Sequence, residues 1–258
     1  MPRVRYDCEG GLGVITLDDP PLNLFGVEMV NDLIAALEEA EGDMARALLI
    51  RAEGDVFTGG ADVNVFQGRT PEQAAAFFSD LIRIVHKVES MRCPTLACVH
   101  SLCLTAGFEL SLACDMIWAA EEAQFGLVEA VVGLTPAMGG TQRLVERAGP
   151  ARARELVMSA GLYPAATLER WNVVNRVLPA AELDAKARKF AERLAEGPTR
   201  AHTATKLMVR AALDEGVRGA DSKVGEIVAP LFATDDLQKA VDTFLEKGGP
   251  GHATFEGR

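Results

Sequence analysis

Residues 3–7 and 12–17 alternate or run apolar on either side of Glu9-Gly10-Gly11, the pattern of two strands joined by a hairpin. Asp18-Asp19-Pro20-Pro21 ends the second strand. Apolar residues then recur at Val27, Met29, Val30, Leu33 and Leu37, a helical spacing that predicts a helix over 27–41. Ala45 to Ile50 is a short buried strand, and the glycine-rich turn Phe57-Thr-Gly-Gly-Ala-Asp62 follows it. Thr70-Pro71-Glu72-Gln73 has a threonine cap, proline at the first helical position and glutamine at the third, so it predicts a helix running to about Ser90. Thr95 to Val99 is a second buried strand. A glycine-containing turn, a helix carrying Glu109 and a strand from Asp115 to Ala120 complete this half.

Strand, turn and helix therefore repeat, with glycine turns after strands, which predicts an α/β architecture with sites at the strand ends. From Gly139 onward the pattern is helical, over 140–148, 151–160, 166–171, 182–195, 198–214, 219–232 and 235–247, with one short strand from Val173 to Val177. Breaks fall at Gly197-Pro198 and Gly248-Gly249-Pro250. The expected division is a core over 1–197 and a helical subdomain over 198–258 that caps the core or reaches a neighbouring subunit.

A chain of 258 residues, 48% hydrophobic and 24% charged, can bury a full core. Its net charge of −11 argues against a general nucleic-acid or anionic-membrane surface, although a local basic pocket for one anion remains compatible with it. The N-terminal stretch lacks the apolar segment of a signal peptide, and no apolar run approaches the roughly 20 residues of a membrane helix. A cytoplasmic location is expected. The five cysteines, Cys8, Cys93, Cys98, Cys103 and Cys114, are odd in number and contain no Cys-x-x-Cys, which suits reduced thiols. Cys98, His100 and Cys103 have poor spacing for zinc, and no metal is expected.

The candidate chemistry starts from two isolated acids. Glu109 is the only charge between His100 and Asp115, and Glu129 the only one between Glu122 and Arg143. A carboxylate in an apolar run is costly to bury, and burial raises its pKa toward the range useful for proton transfer near pH 7. Two such acids are a candidate acid/base pair. The turns at 57–62 and 105–107 could expose backbone N–H groups, the second at the positive end of a helix, and together form an oxyanion hole. Gly59, Gly60 and Gly107 would equally serve as tight-turn residues. No Ser-His-Asp arrangement is evident, and His100 suits a supporting hydrogen bond better than a base.

At this point the chain resembles the crotonase (enoyl-CoA hydratase/isomerase) superfamily. The resemblance is carried by Pro21-Leu-Asn-Leu24, Phe57-Thr-Gly-Gly-Ala-Asp62, Leu104-Thr-Ala-Gly-Phe-Glu-Leu-Ser-Leu-Ala-Cys-Asp115, Ala123-Gln-Phe-Gly-Leu-Val-Glu129, Gly139-Gly-Thr-Gln-Arg-Leu144, Trp171-Asn-Val-Val-Asn-Arg-Val177 and Thr205-Lys206. It implies an α/β fold with a crotonase-like ββα spiral core and a C-terminal helical part. It implies a coenzyme A thioester substrate, no cofactor, and a homotrimer or dimer of trimers. It places the oxyanion hole at the N–H groups of Ala61 and Ala106 and the catalytic pair at Glu109 and Glu129. Around the substrate it sets Leu24, Gly59, Gly60, Asp62, Val63, Thr105, Gly107, Pro136 and Met138.

Retention of both glutamates favours water addition to, or removal from, an α,β-unsaturated acyl-CoA over simple double-bond migration. Which acid plays which part stays open. An isomerase, decarboxylase or hydrolase on the same scaffold is the alternative, as is a weakly catalytic binding protein. Three departures point to an altered acyl pocket: Thr105-Ala106-Gly107 replaces three glycines, His100-Ser101 replaces Asn-Gly, and Pro136-Ala-Met-Gly-Gly140 carries Met138 near the expected water position. Asp62 and Asp115 suit turn and strand-end hydrogen bonding. Lys206 could face a CoA phosphate or simply be solvated.

Overall fold

The computed structural model describes residues 2–258. Strands β1 (Val4–Glu9) and β2 (Leu12–Leu17) form the expected hairpin, and helix α1 (Val27–Gly42) leads to β3 (Ala47–Ala52). Helix α2 (Pro71–Ser90) precedes β4 (Thr95–Val99), the two-residue β5 (Cys103–Leu104), α3 (Thr105–Ala113), β6 (Met116–Ala120) and β7 (Gln124–Gly126). Then come α4 (Gly140–Ala148), α5 (Pro150–Ser159), β8 (Tyr163–Pro164), α6 (Ala165–Arg170), β9 (Arg176–Leu178), α7 (Ala180–Ala195), α8 (Thr199–Val228) and α9 (Asp235–Lys247). The main sheet has the order β1-β2-β3-β4-β6-β9, antiparallel at its first pair and parallel thereafter. Strands β5, β7 and β8 make a second, small sheet.

The strands β2 and β4 are buried at every residue, as suits largely apolar strands covered on both faces. On α1 the buried stripe is Met29, Val30, Leu33, Ala36, Leu37 and Ala40. The start of α2 is a capping box: Thr70 Oγ1 accepts from Gln73 N and Gln73 Oε1 accepts from Thr70 N. Helix α3 is buried at all nine positions. It has no solvent face, and this is why Glu109 enters the interior.

Three sequence expectations shift. The third strand covers 47–52 rather than 45–50. The last strand begins at Arg176; Val173 and Val174 are buried because Asn172, at φ 62°, turns the chain and tucks them under α6. The helices expected over 198–214 and 219–232 are joined as α8, bent where Gly216 adopts φ 73° and ψ 172°, and 229–233 is a 3-10 turn.

The last helices are tied back to the first half. Arg46 donates to Thr199 Oγ1 at 3.1 Å and to the carbonyls of Gly197 and Phe255, each at 2.9 Å. Asp236, buried at the start of α9, accepts from the N–H groups of Glu256 and Gly257 at 2.7 and 2.8 Å. Among the described residues no helix is long and apolar enough to cross a membrane.

Candidate active site

The two glycine turns follow β3 and β4 and lie side by side. Backbone bridges join Phe25 to Ala61 and Thr58 to Cys103. Asn23, 1% exposed, bolts the first turn: its Nδ2 donates to the carbonyls of Glu53, Val56 and Phe57, and its Oδ1 accepts from Asp19 N. Thr58 Oγ1 donates to Asn23 O and accepts from Gly60 N, both at 2.8 Å. We expect Asn23→Ala to cost about 3 kcal/mol in urea unfolding, because several buried backbone groups lose their partner at once.

The second turn starts α3. A Cβ on Gly107 would lie 2.0 Å from Thr58 Cγ2, so this glycine is needed for the two turns to touch. Ala106 is the second residue of the helix, where a backbone N–H has no intrahelical partner, and it lines the cavity. One turn further along, Glu109 is 3% exposed. Its Oε2 accepts from Met138 N at 2.9 Å and from Gly140 N at 2.6 Å. Gly140 is the first residue of α4, so a helix N-terminus faces this carboxylate. A Cβ there would lie 2.7 Å from Glu109 Cγ.

The loop that supplies both donors has its own brace. Arg143, 8% exposed, donates to Gly139 O at 3.1 Å and pairs with Glu89 through Nε at 2.8 Å. Glu129 lines the same cavity from the start of the 3-10 turn Glu129–Val132. It is half-buried, and its Oε2 has no hydrogen-bond partner among the described residues.

Burial pushes Glu109 up to about 7, against the pull of the Gly140 and Met138 N–H groups, and the neighbouring Glu129 charge adds to the rise. Burial likewise pushes Glu129 up to about 7. Both face a cavity of about 130 Å³ whose wall is mostly apolar, with Phe66, Phe78, Leu81 and Val131 among its lining. Each of the two can therefore exchange a proton near neutrality.

Of the residues set around the substrate from sequence, Gly59, Ala61, Val63, Thr105, Ala106, Glu109, Glu129 and Met138 line this cavity. Leu24, Gly60, Asp62, Gly107 and Pro136 do not. Leu24 packs on Gly59, Gly60 backs onto Thr105, and Asp62 caps the 3-10 turn Val63–Phe66 by accepting from Asn64 N at 3.0 Å. The Met138 backbone N–H donates to Glu109 Oε2. The N–H of Ala61 already has an acceptor: it donates to Thr105 Oγ1 at 2.8 Å.

Outside the cavity, His100 bonds the Gly54 carbonyl at 3.0 Å, a supporting role as expected. Asp115 accepts from Thr95 N and Oγ1 at the strand end. Lys206 is not simply solvated: it is held by Asp115 Oδ2 at 2.8 Å and by Cys93 O at 3.1 Å. Asn23, Glu89 and Arg143 are supporting residues whose part was not evident from sequence. A lone arginine helically placed after Gly139-Gly140 was the available signal for the last.

A family model described as enoyl-CoA hydratase/isomerase matches residues 7–256. The chain is 32% identical over 241 residues to the Mycobacterium tuberculosis protein named probable enoyl-CoA hydratase echA8, covering 93% of each. It is 30% identical over 248 residues to crotonyl-CoA hydratase of Syntrophomonas wolfei, covering 95% of each. The crystal structure of an enoyl-CoA hydratase from Bacillus anthracis superposes with a TM-score of 0.91 at 25% identity, covering 99% of this chain and 100% of that one.

Proposed function

The chain belongs to the enoyl-CoA hydratase/isomerase family, and from that premise we propose that it adds water across the α,β double bond of an acyl-CoA thioester, or removes it. The observation that carries this reading is the pair of carboxylates, Glu109 and Glu129, facing one small apolar cavity with both pKa values near 7. A single acid would suffice to move a double bond. Two acids can divide the work of hydration.

In the proposed reaction a water proton passes to one carboxylate as the water oxygen bonds to the β-carbon. The electron pair of the double bond moves toward the thioester, whose oxygen gains negative charge held by hydrogen-bond donors of the two glycine turns, the Ala106 N–H among them. The α-carbon then takes a proton from the other glutamate, which enters the reaction as the protonated acid and leaves it as a carboxylate; a proton exchanged between the two glutamates, directly or through solvent, resets the pair. Glu109, fixed by two backbone donors, suits holding the water. Glu129, with a free oxygen, suits carrying the proton to carbon.

Exposed apolar residues on α8 and α9, among them Leu213, Val217, Phe244 and Leu245, support association with other copies of the chain, and the family reading makes that assembly a homotrimer or dimer of trimers. The test of the reading is the enoyl-thioester absorbance of crotonyl-CoA. We expect it to fall on adding the protein. If it holds steady while 3-enoyl-CoA is converted to the conjugated 2-enoyl form, the activity is isomerisation instead.

A further inference from the structure

The hydrogen bond between Ala61 and Thr105 changes how the thioester oxygen can be held. We propose that the Thr105 hydroxyl is itself a catalytic donor, standing between the Ala61 N–H and the thioester oxygen. This rests on the reading that the cavity binds an acyl-CoA thioester.

Three observations on different atoms lead there. First, the Ala61 N–H is occupied: Thr105 Oγ1 accepts from it at 2.8 Å. An oxygen atom cannot take the same N–H directly while that bond stands. Second, Thr105 is 8% exposed, lines the cavity beside Ala106 and Glu109, and its own O–H has no acceptor among the described residues. A buried hydroxyl that accepts one bond and makes none in return has a proton to give. Third, the place of the hydroxyl is built. Thr105 has φ 44°, a left-handed conformation that β-branched residues rarely adopt. Gly60, at φ 98°, makes the room: a Cβ there would lie 2.1 Å from Oγ1.

The resulting site has two donors of different kinds. One is the Ala106 N–H at the start of α3, reinforced by the positive end of that helix. The other is the Thr105 O–H, polarised by the N–H that bonds its oxygen. The Thr105 proton stays on Oγ1 throughout; the hydroxyl stabilises charge on the thioester oxygen and transfers nothing. Ala61 then acts through Thr105, one hydrogen bond behind the substrate.

The test compares Thr105→Val, Thr105→Ser and Thr105→Ala with the wild-type protein in crotonyl-CoA turnover, with thermal melting as a check on folding. The valine variant keeps the shape, removes the donor and frees the Ala61 N–H, which lies one hydrogen bond behind the substrate and so does not take the hydroxyl's place. We expect it to lower kcat by about 10²–10³-fold, the usual effect of deleting one oxyanion donor, with KM little changed. Thr105→Ser recovers most of that loss. A second readout is the absorbance band of an enoyl-CoA bound to the folded variants in a Glu129→Gln background: the red shift that polarisation of the thioester produces is smaller with Val than with Thr or Ser.

Should Thr105→Ala or Thr105→Val match or exceed wild type in kcat, the hydroxyl is a plug that moves aside and the proposal is overturned while the functional reading stands. Should wild-type protein neither convert nor bind crotonyl-CoA or a 3-enoyl-CoA, the functional reading falls and this proposal with it.

Discussion

Glu129→Gln leaves crotonyl-CoA bound and slows its hydration by about 10²–10⁴-fold, the range associated with loss of a positioned acid or base. The expectation follows from what surrounds this side chain. Its Oε2 has no hydrogen-bond partner among the described residues, so that oxygen is available to the substrate. Burial raises it to about 7, where it can exist in either protonation state at neutral pH. Glutamine matches it in size and can accept or donate a hydrogen bond, but it cannot give up and regain a proton. Calorimetric titration with a saturated acyl-CoA reports binding, and stopped-flow absorbance of crotonyl-CoA reports the reaction. A variant that binds normally and turns over at the wild-type rate would remove Glu129 from the mechanism.

The second large effect is on stability as well as rate. Glu109→Gln is expected to stabilise the folded protein at pH 8 by up to about 3 kcal/mol while depressing hydration by at least about 10²-fold. The sign follows from where the proton is held. The folded-state pKa of Glu109 is raised from 4.5 to about 7. Below pH 4.5 the carboxyl is protonated in both the folded and unfolded states. Between 4.5 and 7 the unfolded chain releases the proton and the folded chain keeps it, so folding stability from this group falls as pH rises through that window. Above 7 the buried carboxylate is ionised and the full penalty stands. At 3% exposure, solvent does little to screen it. Glutamine has no such penalty, and its amide oxygen can still accept from Met138 and Gly140. Urea unfolding at pH 5 and pH 8 separates the two: the advantage of the glutamine variant should be small at the lower pH and large at the higher one. An advantage that does not grow with pH would mean Glu109 titrates as an ordinary carboxylate.

The residues that reach the site through local pattern were legible beforehand. Glu109 and Glu129 stand out because each is a lone charge in an apolar stretch, and the helix carrying Glu109 proved to be buried on all sides. The capping box of α2 is a four-residue signal and was found where expected. What escaped was tertiary. Asn23 looks like any turn residue until three carbonyls some 30 residues away converge on its amide. The Ala61–Thr105 bond spans 44 positions and depends on a left-handed threonine, which no local rule favours. Strands of two or three residues, such as β5, β7 and β8, are too short to show a period. Val173 and Val174 read as strand because burial and strand pairing leave the same apolar mark on a sequence; here a turn at Asn172 accounts for the burial.

The clasp made by Arg46 has a kinetic meaning. Its bonds to Gly197, Thr199 and Phe255 join residues between 151 and 209 positions apart. Closing loops of that size is entropically unfavourable until the intervening chain is already ordered. We expect such contacts to form after the rate-limiting barrier, so that Arg46→Ala leaves the refolding rate nearly unchanged and speeds unfolding. They act on the reverse journey, as a latch that must open first, and lengthen the life of the native state against heat and proteases.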